Sequence, residues 1–283
     1  MKQLVFFIGL VVFTGSCSPV PPAPTDIVFP TSTSQPILTQ TAPLKPEIGS
    51  IMLSEKEGMT LVYVPAGEFS MGNDSGWDEE KLAHTVDLTA FWIDQTEVTN
   101  EMYAKCVQEG SCPPPSNATD FNDSSYADHP VVYVSWNDAN QYCTWAGRRL
   151  PTEAEWEKAA RGTDGRVYPW GDPIACSFAN YWGEENGCVD DTTPAGKYPE
   201  GASPYGALDM TGNVLEWVST IFESYPYDAT DGREDPGASG ARVLRGGSWN
   251  VTAEFSRASR RDWYSPTIRR NYVGFRCAMN AAP

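Results

Sequence analysis

Residues 143–162, Cys-Thr-Trp-Ala-Gly-Arg-Arg-Leu-Pro-Thr-Glu-Ala-Glu-Trp-Glu-Lys-Ala-Ala-Arg-Gly, read as the junction between two helices. Upstream, Ala139, Tyr142, Cys143 and Ala146 recur at helical spacing, and Gly147 is placed to close that helix in a left-handed conformation. Downstream, Thr152 and Glu155 form a Thr-x-x-Glu capping box that satisfies orphan amides of the first turn. Trp156, Ala159 and Ala160 give the second helix one apolar face, and Gly162 stops it. Glu153, Glu155 and Glu157 near its start, with Lys158 and Arg161 near its end, suit the helix dipole.

Outward from this junction the chain is loop-rich. Met59 to Pro65 reads as a strand, followed by a Gly-rich turn and Phe69 to Gly72; Val86 to Ile93 alternates as another strand. Thr99 caps a helix running to about residue 109, with Tyr103, Cys106 and Val107 inward. Residues 110–128, with three consecutive prolines, form a surface loop, and Val131 to Val134 is expected as a strand. Irregular backbone is expected from 169 to 203 and short strands from 242 to 279. No repeat or internal boundary follows residue 58, which is where a single domain, 58–283, is expected to begin.

Ten Trp and thirteen Tyr beside 24 Gly and 23 Pro suggest loops pinned by large side chains. The net charge of −17 argues against nucleic acid and anionic membrane surfaces as partners and would suit cations such as calcium. At the N-terminus, Lys2 and the apolar run Leu4 to Phe13 have signal-peptide length, too short for a stable span. Thr14-Gly15-Ser16-Cys17 resembles a bacterial lipobox, so residues 1–16 are expected to be removed and Cys17 lipidated; a plain secretory signal is the alternative. Residues 17–57, rich in Pro, Thr and Ser, read as a tether. The chain is therefore expected outside the cytoplasm, held to the cell membrane by its lipid anchor.

Without Cys17 six cysteines remain, and an even number in an exported chain suggests three disulfides. Cys106 with Cys112 would close a small loop after a helix, and Cys176 with Cys188 a second loop. A reactive thiol pair is the alternative.

Trp145 to Glu157 resembles the signature of the sulfatase-modifying-factor family, the formylglycine-generating enzymes and their relatives. Other blocks agree in order: Pro65 to Gly72, Glu97 to Asn100, Pro169 to Gly171, Gly212 to Trp217, Arg245 to Trp249 and Gly274 to Cys277. The resemblance covers about residues 58–279. It implies an α+β, loop-rich C-type-lectin-like fold with little regular secondary structure. It also implies a disulfide between Cys143 and Cys277, similar to a structural one of the family. One family calcium site is similar to Asp209 and Glu216 with the carbonyls of Gly212 and Val214, all oxygen ligands for a hard cation. The other resembles Asn180, the carbonyl of Tyr181, and Asp191 or Asp190. Alternatively, Glu216 salt-bridges internally and Asn180 holds a turn.

The resemblance also implies copper(I) held by two cysteines after the Gly-Gly-Ser-aromatic element. Here those places hold Val251 and Ser256, and an isopropyl group and a hydroxyl cannot replace soft thiolates. Leu215 replaces an expected aromatic. Copper chemistry is thus not expected, and His84 and His129 do not form a metal-binding cluster. The expected function is a monomeric binding module using the 245–272 face. Ser248, Trp249, Arg257, Arg260, Arg261, Trp263 and Tyr272, with Tyr264, Arg269 and Arg270, would meet an unknown protein, peptide or anionic ligand there. The alternatives are internal pairing of those arginines, and a formylglycine-generating oxidoreductase or an enzyme of altered chemistry.

Overall fold

The computed structural model describes Gly15, residues 45–183 and residues 187–282. The expected signal peptide, Cys17 and most of the tether lie outside the described residues. The chain divides into Met1–Leu44 and Lys45–Pro283, and every described strand and helix lies in the second unit.

A four-stranded antiparallel sheet has the order β1 (Ile51–Leu53), β2 (Thr60–Val64), β5 (Phe91–Asp94), β10 (Ala278–Asn280). Strands β3 (Gly67–Met71) and β4 (His84–Leu88) form a separate hairpin. A second sheet runs β8 (Asp262–Tyr264), β7 (Arg242–Arg245), β6 (Leu215–Ile221), β9 (Val273–Phe275), with β6 and β9 parallel. Three helices complete the frame: α1 (Asn100–Gln108), α2 (Trp136–Trp145) and α3 (Glu153–Arg161).

The junction forms as its residues dictate. Gly147 adopts φ 75° directly after α2, and Gly162 adopts φ 67° after α3. Thr152 Oγ1 accepts from the Glu155 amide, and the Glu155 carboxylate accepts from the Thr152 amide. Thr99 caps α1 through the Met102 amide. All three expected disulfides form, with Cα separations of 5.3 Å for Cys106–Cys112, 5.6 Å for Cys143–Cys277 and 5.3 Å for Cys176–Cys188.

Three expectations are corrected, and one strand was not foreseen. The folded unit begins before residue 58, because β1 pairs with β2 and Glu57 is buried. The run Val86 to Ile93 breaks at Thr89-Ala90, so its halves enter two sheets. Val131 to Val134 is no strand; the Val131 amide bonds the Val98 carbonyl, the Tyr133 amide bonds that of Arg270, and Tyr133 sits at φ 58°. Strand β6 was unexpected; it is buried on both faces and lacks the alternation that marks a half-exposed strand.

The largest departure concerns α3. One apolar face is expected of it, yet every residue of the helix is buried between β3, β6 and β7. Buried charge is tolerated only when paired and hydrogen-bonded. Glu153 accepts from Arg261 at 2.6 Å and 2.9 Å and lies 3.3 Å from Arg245. Glu157 accepts from Arg245 at 2.5 Å, Arg161 at 2.8 Å and the Gly72 amide at 2.8 Å. Lys158 donates to the carbonyls of Pro65 and Gly67. Arginine counter-ions hold Glu157 below the ordinary carboxylate range despite the opposing cost of burial.

Candidate functional site

The segment after β7 turns sharply at Gly246 (φ 96°) and Gly247 (φ 70°). A side chain at 247 would place its Cβ 2.6 Å from Ser256 Oγ and 2.8 Å from Ser256 Cα, so only glycine lets the two stretches meet. Ser248 is buried and donates to Asn250 Oδ1 at 2.7 Å. Ser256 is buried too, its hydroxyl turned to the Thr252 carbonyl at 3.3 Å. The Val251 carbonyl accepts from the Trp182 amide at 2.8 Å, and a parallel bridge joins Trp182 to Thr252. Of the two positions compared with copper ligands, one therefore presents an isopropyl group and the other a buried hydroxyl.

Beside this segment opens a groove of about 1040 Å³, lined by Ile174, Ala175, Tyr181, Trp182, Thr252 and Glu254 among others. The Cys176–Cys188 disulfide staples its rim. Trp182 leaves 41% of its surface exposed. Outside the groove, Trp77 Nε1 donates to one Glu254 oxygen at 2.8 Å, while Trp77 packs edge-on against Phe255 with ring centres 4.8 Å apart.

The basic face expected over 245–272 is corrected. Arg261 is buried against Glu153, and Arg260 is buried against Glu79 and Asp262, its guanidinium 4.5 Å from the Trp77 ring. Arg257 pairs with Glu80 at 2.7 Å and Arg269 with Asp138 at 2.8 Å. Arg270 is exposed and donates to the carbonyl of Arg269. Trp263 is exposed but stacks on Phe222 at 3.9 Å, and Trp249 and Tyr272 are half-buried. The carboxylates that neutralise this face come mainly from residues 79, 80, 138 and 153, far away in sequence.

The two cation candidates meet in space, since the Asn213 amide bonds the Asn180 carbonyl at 2.8 Å. Their oxygens are in different states. Glu216 spends both oxygens on Arg276 at 2.7 Å each, and Trp156 Nε1 adds a bond at 2.8 Å. Asp209, at φ 54°, accepts from the Gly196 amide at 2.5 Å and faces Glu97. Burial pushes both carboxyls above the ordinary range, Glu97 further because Asp209 lies beside it. One Glu97 oxygen accepts from Asn213 Nδ2 at 3.0 Å, and the carboxyl shares a hydrogen bond with Asp209. The Oδ1 of fully buried Asn180 is unmatched among the described residues, while its Nδ2 donates to the Asp191 carbonyl at 2.8 Å. Asp191 accepts from Tyr126 and from the Thr192 amide, and the Tyr181 carbonyl accepts from the Cys188 amide. A cation fits the unmatched oxygen of Asn180 better than the occupied carboxylate of Glu216, the reverse of the order the local sequence match suggests. Glu97 was not singled out from sequence; only its place in the Glu-Val-Thr-Asn block marked it.

Both histidines are held by hydrogen bonds: Nδ1 of His84 meets the Leu82 carbonyl at 2.7 Å, and Nδ1 of His129 meets Thr192 Oγ1 at 2.9 Å.

Known proteins resemble this chain in sequence and fold. The Sulfatase-modifying factor enzyme 1-like domain matches residues 49–281. The serine/threonine-protein kinase Pkn1 of Chlamydia trachomatis serovar L2 is 35% identical over 78% of this chain, but the chain spans only 38% of that relative's length. The formylglycine-generating enzyme of Streptomyces coelicolor is 34% identical, covering 78% of this chain and 89% of the enzyme. The inactive C-alpha-formylglycine-generating enzyme 2 of Mus musculus is 32% identical, covering 82% and 89%. Among solved structures, PvdO from Pseudomonas aeruginosa superposes with a TM-score of 0.67 at 26% identity, covering 83% of this chain and all of that one.

Proposed function

This chain belongs to the sulfatase-modifying factor enzyme 1-like family, and on that premise we propose that it acts as a ligand-binding module rather than as a copper-dependent cysteine oxidase. Relatives named as active and as inactive match it almost equally, at 34% and 32% identity, so the site must decide. The observation that carries the reading is the pair Val251 and Ser256. Copper(I) needs soft thiolates, and neither a branched alkyl group nor a hydroxyl bonded within its own turn supplies one. What remains beside that pair is an open groove with an exposed tryptophan, the kind of anchor that dominates binding surfaces.

The N-terminal signal and Cys17 support a module lipidated and tethered outside the cytoplasm, and the oxidised cysteine pairs suit that compartment. Calcium is the cation whose oxygen-ligand chemistry suits Asn180, the Tyr181 carbonyl and Asp191; there it would tie the groove wall to the residues around Asn213.

The deciding experiment couples copper(I) titration of the full chain to an assay for aldehyde formation on a Cys-x-Pro-x-Arg peptide. The expected result is no stoichiometric copper and no aldehyde. Copper at one equivalent with turnover would overturn the reading in favour of a formylglycine-generating oxidoreductase.

A further inference from the structure

Strand β4 opens on His84, and both nitrogens of its ring are in use. Nε2 lies 2.8 Å from the Tyr227 backbone amide, which can only donate, so this nitrogen accepts and carries no proton. Nδ1 lies 2.7 Å from the Leu82 carbonyl, which can only accept, so the proton sits there. The two partners thus dictate one neutral tautomer. The ring also packs edge-on against Tyr225, with centres 4.9 Å apart. We propose that His84 is an acid-released latch between the β3–β4 hairpin and the segment 222–240, opened when a proton on Nε2 displaces the Tyr227 amide.

Release is one-sided. The imidazolium still donates to Leu82, a non-glycine residue held at φ 67°, so His84 stays with its hairpin and the Tyr227 side lets go. Packing of Phe69, Met71 and Val86 against Tyr225 and Tyr227 persists, which confines the opening to this edge. A cavity of about 260 Å³ lies at the joint, walled by Asp78 and Leu82 on one side and by Phe222 and Tyr225 on the other, and acid therefore widens it. Around the ring, the hairpin carries Asp74, bonded to the Ala83 amide, and Lys81, paired with Asp78. The opposite segment carries Tyr225, Tyr227 and Asp228, with Glu234 on the Tyr227 hydroxyl and Arg233 over its ring. The Tyr225 hydroxyl donates to Glu153 of α3, and Arg261 lies over the Tyr225 ring. Among the described residues no carboxylate forms an ion pair with His84, so the added charge gains no counter-ion in exchange for the lost bond.

The test follows the Tyr227 amide by hydrogen exchange, corrected for its intrinsic dependence on pH, in the isotope-labelled full chain in mild detergent. Between about pH 8 and about pH 5, where histidine changes charge, protection should fall about tenfold, the worth of one lost hydrogen bond. At the upper pH the nitrogen shifts of His84 should show the proton on Nδ1, and the loss of protection should track its titration. His84→Phe keeps an aromatic ring on Tyr225 and should leave the amide poorly protected at both ends of the range. Burial holds the Glu234 carboxyl above the ordinary range, which makes it the competing titrating group, and Glu234→Gln should keep the native response. A proton on Nε2 at the upper pH, protection that does not change with pH, a native response in His84→Phe, or its loss in Glu234→Gln would each overturn the proposal. None of these outcomes bears on copper, aldehyde formation or the groove.

Discussion

Helix α3 and the groove wall around Asn180 and Trp182 handle polarity in opposite ways. The charged side chains of α3, from Glu153 to Arg161, are all buried, and each finds its partners within the protein. In the groove region the balance is left open. Asn180 keeps a buried oxygen unmatched, Glu254 keeps one exposed, and Trp182 shows its ring to solvent. A matched buried network fixes one arrangement and has nothing left to offer a ligand, whereas unmatched groups are where binding can still release free energy. Charge on its own does not mark a site; charge without a partner does.

The widest test of this contrast lies in α3. Glu157→Ala should cost about 3–5 kcal/mol in urea denaturation, because it strands Arg245 and Arg161 in the interior. The volume-matched pair Glu157→Leu with Arg245→Met should recover most of that loss; if it does not, matching of charge is not what the helix requires. In the groove wall, calcium saturation at about a hundred times Kd should add about 2.7 kcal/mol. Chelation with EDTA should then lower Tm by about 5–10 °C for a domain of this size. Asn180→Ala should erase that difference, and a native chain indifferent to EDTA removes calcium from the account.

Asp94 sits between the two extremes. It shares Arg148 with Glu57, at 3.1 Å and 2.5 Å, in an ion-paired arrangement not aligned for hydrogen bonds. Burial pushes Asp94 up to about 7, with the Glu57 charge adding to the rise and Arg148 opposing it. The folded state therefore holds a proton that the unfolded chain releases near pH 4. The contribution is fully present below that pH and is lost as pH rises through about 7. Asp94→Asn should flatten the urea midpoint across this window, and an unchanged slope would show that Arg148 alone satisfies the group. The smallest effect belongs to the open region: Trp182→Ala should move stability by less than about 0.5 kcal/mol. A larger loss would make this ring part of the packing rather than a surface held for a partner.

The α2–α3 junction was legible because capping is local. Thr152, Glu155, Gly147 and Gly162 act within a few residues, and each does what its chemistry dictates. The burial of α3 was not legible, since Arg245 and Arg261 lie about a hundred residues from Glu153 and no local pattern announces them. The same distance misled the reading of Arg260 and Arg261 as a ligand face. Strand β6 escaped because both of its faces are covered. The disulfides were readable from cysteine number and family likeness. The groove was not, because its wall comes from irregular backbone on either side of Trp182 and acquires shape only by bridging to 251–252.

The stretch 273–280 supplies β9, the counter-ion Arg276, the disulfide partner Cys277 and the edge strand β10. Every one of these closes against residues made much earlier, from β5 to Glu216. The fold thus cannot close until residues 273–280 have been synthesised, and until then Glu216 lacks Arg276 and Cys143 lacks Cys277. A copy truncated before this stretch has no route to the native core and is left exposed to proteases, so late assembly acts as a check on completeness.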